Sequence, residues 1–538
     1  MYSGRQGLVH LRTESNTMRV GVILCGILLC LDFAGIAQSL EQARKDIESG
    51  RYKNAKKTLK DLSAKEPSNA LYLYYSGEAY YQSGKADSAK FFYEKGIKAD
   101  PNSALNYIGL GKTTIKPDEL QGRKYFEKAL NIKSPDTKVL AALAEFYINS
   151  TEFQDLNAAS GLLDKALKHE PENPMLYLLY GDIYWSRNEG SKALEKYEKA
   201  LNLNKSLPEP YLKIGRLYMR AKNAELSMDY YKKGILADSN YAAFYKEIAE
   251  LQYRARQYDK GVASYKKYME KTDWNGDNQS RCASFFFMNK DYPQVIRILS
   301  GLTSGNYTNP IAYRLLSYSY YESGDFVKGL ESMDKFWKYS ENGKILASDY
   351  EYYGRLLARN KMDSLAVINL HKSLQLDSSK AELYSELGNI YFYAEKYAEA
   401  CAAYQSKCKR KEVNAQDYFN YGRALYFRKD YNKADSIFTR LTELKPDFAL
   451  GHLWRARVNS MFDPDSHEGK ARPYYEKFIQ LAGSDQNKYK KELMEAYSYI
   501  GYYYLLKKDH AKSKDAWKKV KELDPSNKKA DEALKALK

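Results

Sequence analysis

"ALYLYYSGEAYYQSGKADSAKFFYEKGIKADP", Ala70 to Pro101, decides the architecture of this chain. Leu73, Gly77 and Tyr80 fall at helical spacing, Gly84 interrupts, Ala89, Tyr93 and Gly96 resume the spacing, and Pro101 closes the segment. The pattern predicts a helix, a turn, a second antiparallel helix and a stop. Gly77 and Ala89 carry no bulk where the two helices touch, while Tyr80 and Tyr93 fill the space on either side of that contact. Gly84 permits the turn. Pro101 lacks an amide donor and holds the residue before it extended, which ends the second helix. A glycine inside a helix costs up to about 1 kcal/mol relative to alanine, so close helix packing has to offset that loss.

The same frame recurs along the chain. Small residues inside Tyr-rich helical segments stand at Ala43, Gly77, Gly111, Ala144, Gly181, Gly215, Ala249, Ala283, Ser317, Gly354, Gly388, Gly422, Ala456 and Gly501. Nine of the thirteen steps between them are 34 residues long, and the off-length steps sit where loops absorb an insertion. Counting each small residue as the eighth of its unit, the fourth position is Tyr at Tyr107, Tyr177, Tyr211, Tyr245, Tyr384 and Tyr418, and the twentieth is Ala at Ala55, Ala193, Ala366, Ala400 and Ala434. A closing Pro follows at Pro67, Pro101, Pro171, Pro446 and Pro525.

This arrangement resembles the tetratricopeptide repeat family from about Leu40 to the end. The resemblance implies an all-α fold, a right-handed superhelical solenoid of about 13 to 14 helix-turn-helix units. The expected organisation is a segment 1–37, an N-terminal array 38–309, a C-terminal array 310–527 and a capping helix 528–538. In that last stretch Ala530, Ala533, Leu534, Ala536 and Leu537 form a single apolar stripe among lysines. The thirteenth unit departs from the pattern, since "MFDPDSHEGKARPYYEKF" lengthens its turn.

Composition agrees with a helical array. Among 538 residues there are 52 Tyr and only 14 Pro, with 44% hydrophobic and 28% charged, so disorder is not indicated. Residues 1–37 differ from the rest. Val20 to Leu31, "VGVILCGILLCL", is an uncharged apolar block behind Met18-Arg19, too short to span a bilayer comfortably, and Gly35-Ile36-Ala37 places small residues where a signal peptidase reads. Cleavage after Ala37 is expected, with the mature chain beginning at Gln38 in the bacterial periplasm; an uncleaved anchor is the alternative and would have to bury Asp32. Leu24 and Leu29 precede Cys25 and Cys30, where lipid attachment would need a small residue. The remaining cysteines, Cys282, Cys401 and Cys408, have no regular spacing and are read as free thiols. The formal net charge of +17 suits acidic protein segments and peripheral contact with an anionic membrane, while export argues against nucleic acid.

The motifs that suggest chemistry do not carry it. Gly111-Lys112-Thr113 ends like a phosphate loop, but Asn106 stands where its first glycine belongs, and Gly111 is expected in mid-helix, its amide already committed. "DWNGDNQS", Asp273 to Ser280, spaces oxygen ligands like a calcium loop but has Asn278 for the turn glycine and Ser284 for the bidentate Glu, so it reads as a connecting turn. The six histidines form no HExxH or Cys/His pattern, and "DPDSHEG", Asp463 to Gly469, is read as a polar loop. No catalytic residue, cofactor or metal is assigned.

Binding is expected on the concave side. The family relation implies that positions two, five, nine, twelve and thirteen of each first helix line it. These positions hold Arg216, Arg220 and Arg254 in the N-terminal array, and Arg314, Tyr318, Arg355 and Arg359 in the C-terminal one. Phe392, Arg423 and Phe427 continue the series. Guanidinium planes and rings suit an extended acidic and partly apolar segment of an envelope or secretion-complex protein. The clamp by which one subfamily holds chaperone C-termini is not expected: Asn389 and Asn420 are in place, but Ser385 stands where its first Lys belongs. Two alternatives differ in class: an enzyme or accessory module acting on cell-wall polysaccharide, and a cytosolic adaptor should residues 1–37 not direct export.

Overall fold

A computed structural model describes residues 39–132, 136–340, 343–410 and 413–537. The predicted signal segment 1–37, with Ala37, lies outside the described residues. Among the described residues there are twenty-nine helices and no strand. The chain divides into an N-terminal unit ending at Tyr307 and a C-terminal unit beginning at Thr308. Within each unit, first helices pack antiparallel on their own second helices, and second helices on the next first helix, as the period predicts.

In the founding repeat, helix Ala70–Gln82 pairs with helix Ala86–Ala99. The Tyr93 ring is fully buried between them. Equivalent rings are buried at Tyr197, Tyr231, Tyr265, Tyr404 and Phe438. A buried phenol still needs an acceptor. Tyr93 donates to Glu78 Oε1 at 2.8 Å, Tyr197 to Asp182 Oδ1 at 2.8 Å and Tyr404 to Asn389 Oδ1 at 2.6 Å, in every case the ninth residue of the same repeat.

Gly111 lies inside helix Ala104–Thr114, where a Cβ would collide with the Phe126 ring. It is a packing residue and cannot cradle phosphate. The turn between paired helices differs from its expectation in one respect. Gly84 is left-handed at φ 76°, but the same position is left-handed at Lys222, Lys290, Lys361, Glu395, Lys429 and Lys508. Backbone bonds stabilise that geometry: Lys222 N–H reaches Met219 C=O at 3.0 Å and Asn223 N–H reaches Tyr218 C=O at 2.9 Å, the paired bonds of a left-handed helix end.

The N-terminal unit closes on itself. Helix Tyr52–Lys65 has no cap from its own Arg51. Instead Asp273 Oδ2 accepts from Lys53 N–H at 2.8 Å, and the Asp273 N–H donates to Gly50 C=O at 3.2 Å. Asp273 therefore caps a helix that starts more than 200 residues earlier. The rest of "DWNGDNQS" is a capping box in which Asn275 and Asn278 exchange hydrogen bonds at the start of helix Gly276–Met288. The lengthened turn after Phe462 is organised by Asp463, whose carboxylate accepts from the N–H groups of Glu468, Gly469 and Lys470 at 3.2, 2.6 and 3.3 Å. Burial would raise this carboxyl, but those backbone donors leave it below its ordinary range. At the end of the chain, helix Lys528–Ala536 buries Ala530 in a cluster with Trp517 and Val520.

Candidate functional site

The ninth residue of a first helix meets the sixth residue of the next first helix, forming a series of rungs. In the N-terminal unit Asp182 accepts from Lys213 Nζ at 2.7 Å, Arg216 Nε donates to Glu247 at 2.9 Å and Arg281 Nε donates to Glu250 at 2.7 Å. In the C-terminal unit Arg355 holds Glu386 through Nε at 3.0 Å and Nη2 at 2.7 Å. Tyr318 stacks on Tyr352 with centroids 3.8 Å apart, and Asn420 donates to Asn389 at 3.4 Å. The Arg423 rung differs: its sixth-position neighbour is Trp454, with the guanidinium 5.5 Å from the ring centroid.

These rungs determine what the sequence-predicted residues have left to offer. Arg216 is spent on Glu247, and Arg355 on Glu386 and Glu351. Burial alone would lower the Arg355 pKa, and the Glu386 carboxylate more than reverses this, holding it above its ordinary value. Arg314 donates to both oxygens of the fully buried Asp349, at 2.7 and 2.9 Å, and Tyr318 O–H adds a third bond at 2.7 Å. Burial and that carboxylate push the Tyr318 phenol up. Arg220 bonds Asn188 and lies over the Trp185 ring. Among the described residues Arg254, Arg359 and Arg423 have no carboxylate partner; Arg254 and Arg359 are exposed, and Arg359 covers Phe326 at 5.2 Å.

Phe392, Arg423 and Phe427 come together. The Arg423 guanidinium lies 4.7 Å from the Phe392 centroid and 5.6 Å from that of Phe419, besides Trp454. Phe427 stands edge-on to Phe392 at 5.5 Å and stacks on Tyr397 at 5.4 Å, and its own ring is 41% exposed. Sequence reasoning missed Trp454, Glu247 and Glu386, because position six was not among those read as concave; the recurring 31-residue offset from an Arg at position nine is the signal that finds them.

The inner side of the N-terminal unit is different in charge. Its ninth positions carry Glu78, Glu145, Asp182 and Glu250 against Arg44, Lys112 and Arg216. Glu78 is bonded by Lys112 Nζ at 3.2 Å. Glu145 is exposed to solvent, yet the protein around it desolvates and raises its carboxyl, and Lys112 only partly offsets the rise. Glu48 is reached by solvent at its surface, yet desolvation by the protein around it, and then Glu209, push it up to about 7, with Arg44 opposing.

Paired helices stacked on a fixed period define the class of helical repeat scaffolds. Sequence profiles described as TPR repeat and Tetratricopeptide repeat match residues 46–108, 181–222, 208–241 and 416–448. The structure of the C-terminal part of a TPR repeat-containing protein from Cytophaga hutchinsonii is 34% identical over 47% of this chain and 99% of its own, with a TM-score of 0.43. A tetratricopeptide repeat protein from Parabacteroides merdae is 18% identical over 46% of this chain and 95% of its own, with a TM-score of 0.31. Yeast Tom70 is 13% identical over 74% of this chain and 96% of its own, with a TM-score of 0.29. No curated protein matches the chain in sequence. The chain belongs to the tetratricopeptide repeat family, whose repeats typically mediate protein–protein interaction.

Proposed function

We propose that the chain is an exported, non-catalytic scaffold of the bacterial periplasm whose C-terminal unit holds an extended acidic and apolar segment of an envelope or secretion-complex protein. The observation that carries the reading is the change of charge at position nine, from four carboxylates interleaved with Arg44, Lys112 and Arg216 in the N-terminal unit to Arg355, Arg423 and Arg457 with no acid in the C-terminal one. The aromatic surround at Arg423 adds apolar contact. A preformed face binds without the cost of ordering itself, and its side chains set specificity. The basic net charge of +17 favours peripheral contact with an anionic membrane as well. Export rests on residues 1–37 and is tested by sequencing the N-terminus of the mature protein. Gln38 is expected; Met1 or Met18 refutes export. Binding is tested by cross-linking in an envelope fraction with the double variant Arg359→Glu and Arg423→Glu, which leaves the Arg355 rung intact. A protein captured by wild type and lost from the variant is expected, and an unchanged set of captured proteins refutes the reading.

A further inference from the structure

We propose that Arg423 and the rings around it form a socket for one side-chain carboxylate of a bound protein segment, with an apolar side chain beside that acid. The proposal deepens the reading of the C-terminal face and rests on it.

The rungs supply the argument. Arg216 and Arg355 stand at position nine, and each meets a glutamate 31 residues later, Glu247 and Glu386. Arg423 stands at the same position, and 31 residues later comes Trp454. The replacement removes the internal carboxylate and leaves the cation. Among the described residues Arg423 has no hydrogen bond or ion pair, and its Nε is buried without an acceptor. A nearby acid does not fill the gap: Glu495 is held by Arg457 at 2.6 and 2.9 Å and by Tyr475 O–H at 2.9 Å. Rings on several sides orient the guanidinium plane and exclude water, which strengthens a charge-assisted bond to an incoming carboxylate. The apolar neighbour follows from the rim, where Phe427 is 41% and Tyr393 79% exposed. A terminal carboxylate held by paired asparagines is disfavoured, because the Asn420 amide nitrogen, one of the donors it would need, is already turned to Asn389 Oδ1 at 3.4 Å.

The test titrates the full chain with acetyl-Phe-Glu-Phe-amide, its Gln counterpart, and acetyl-Phe-Phe with a free C-terminus, followed by calorimetry. The capped Glu peptide is expected to bind at least roughly tenfold tighter than the Gln peptide, and Arg423→Gln to remove that preference. Trp454→Glu supplies an internal carboxylate and is expected to remove the preference while Arg423 remains. Hydrogen exchange in helix Ala415–Phe427 checks that both variants are folded, and Arg423→Gln decides alone should Trp454→Glu fail to fold. Equal binding of the Glu and Gln peptides, an undiminished preference in Arg423→Gln, or no binding at millimolar peptide overturns the socket. Tighter binding of the free-acid peptide overturns the choice of a side-chain carboxylate. Should the capped Glu peptide bind as stated while no envelope protein is captured, the scaffold reading falls and the socket stands; the reverse pair of results removes the socket alone.

Discussion

Replacing Asp349 by Ala removes the acceptor around which two first helices of the C-terminal unit are joined. The carboxylate is fully buried and takes four bonds: Arg314 Nε at 2.7 Å, Arg314 Nη2 at 2.9 Å, Tyr318 O–H at 2.7 Å and Leu346 N–H at 2.6 Å. Removing one partner of a buried pair costs about 3–5 kcal/mol. Arg314 would keep the Lys344 carbonyl at 2.8 Å and the face of Phe336, so the lower end applies, about 3 kcal/mol. At about 1.4 kcal/mol per factor of ten, amide protection in helices Pro310–Glu322 and Ala347–Arg359 should fall on the order of a hundredfold in hydrogen exchange. Repeats several positions away should keep theirs, because each repeat is coupled mainly to its neighbours. Asp349→Asn keeps the shape and one acceptor and should lose less, about 1.5 kcal/mol. A fall of less than about threefold in Asp349→Ala would refute the reasoning. Arg314 and Tyr318 would then return to the set of residues free to meet a ligand.

At the left-handed helix ends, Lys222→Gly, Lys361→Gly and Lys429→Gly should each stabilise by up to about 1 kcal/mol, since glycine adopts that backbone without a Cβ conflict; a lowered urea midpoint would count against this. Phe438→Tyr places a hydroxyl beside Arg423, where no carboxylate accepts it, and should cost about 1–3 kcal/mol by chemical denaturation; a neutral result would mean that the buried ring and the face are not coupled. Asp273→Ala should cost the cap of helix Tyr52–Lys65 about 1 kcal/mol and speed exchange at its first turn, with no change in helix Ala70–Gln82. Glu48, raised from 4.5 to about 7 by desolvation and Glu209, binds its proton more tightly in the folded unit than in the unfolded chain. Stability of segment 39–48 should therefore rise as pH falls from 8 through 7 and be fully gained by about 4.5, and Glu48→Gln should flatten the profile; an unchanged slope in that variant refutes the assignment.

The period made the helices legible because one hairpin buries its rings only against neighbouring hairpins, so the same residue types have to recur at the same places. Tyr93, Gly77 and Gly111 are placed correctly by that logic alone. Helix ends were only half legible. Gly84 announces a left-handed residue, whereas Lys361 and Lys429 carry no such signal and are held there by the backbone bonds of the helix end. The site was less legible still. Reading each first helix separately finds Arg216, Arg314 and Arg355 on one face but not their carboxylates, which belong to the following repeat and come into reach only through the stagger of stacked hairpins. The cap on helix Tyr52–Lys65 is beyond any local reading, because Asp273 arrives from the far end of the N-terminal unit.

The charge at position nine is not independent of the core beneath it. At three acceptors in position nine, the buried ring below is a tyrosine that donates to it: Glu78 with Tyr93, Asp182 with Tyr197, Asn389 with Tyr404. Arginine at position nine can accept nothing, and the residue sixteen after the small eighth position becomes Leu370 under Arg355 and Phe438 under Arg423. Tyr231 under Arg216 keeps its ring but has no acceptor at position nine, and its hydroxyl turns to the buried Ser227. A change of sign on the face thus either changes the ring in the core or sends its hydroxyl to another partner. The sign at position nine is in this sense tied to the core beneath it, and Arg423 over Trp454, which has no internal acid, stands above a core that demands no acceptor from it.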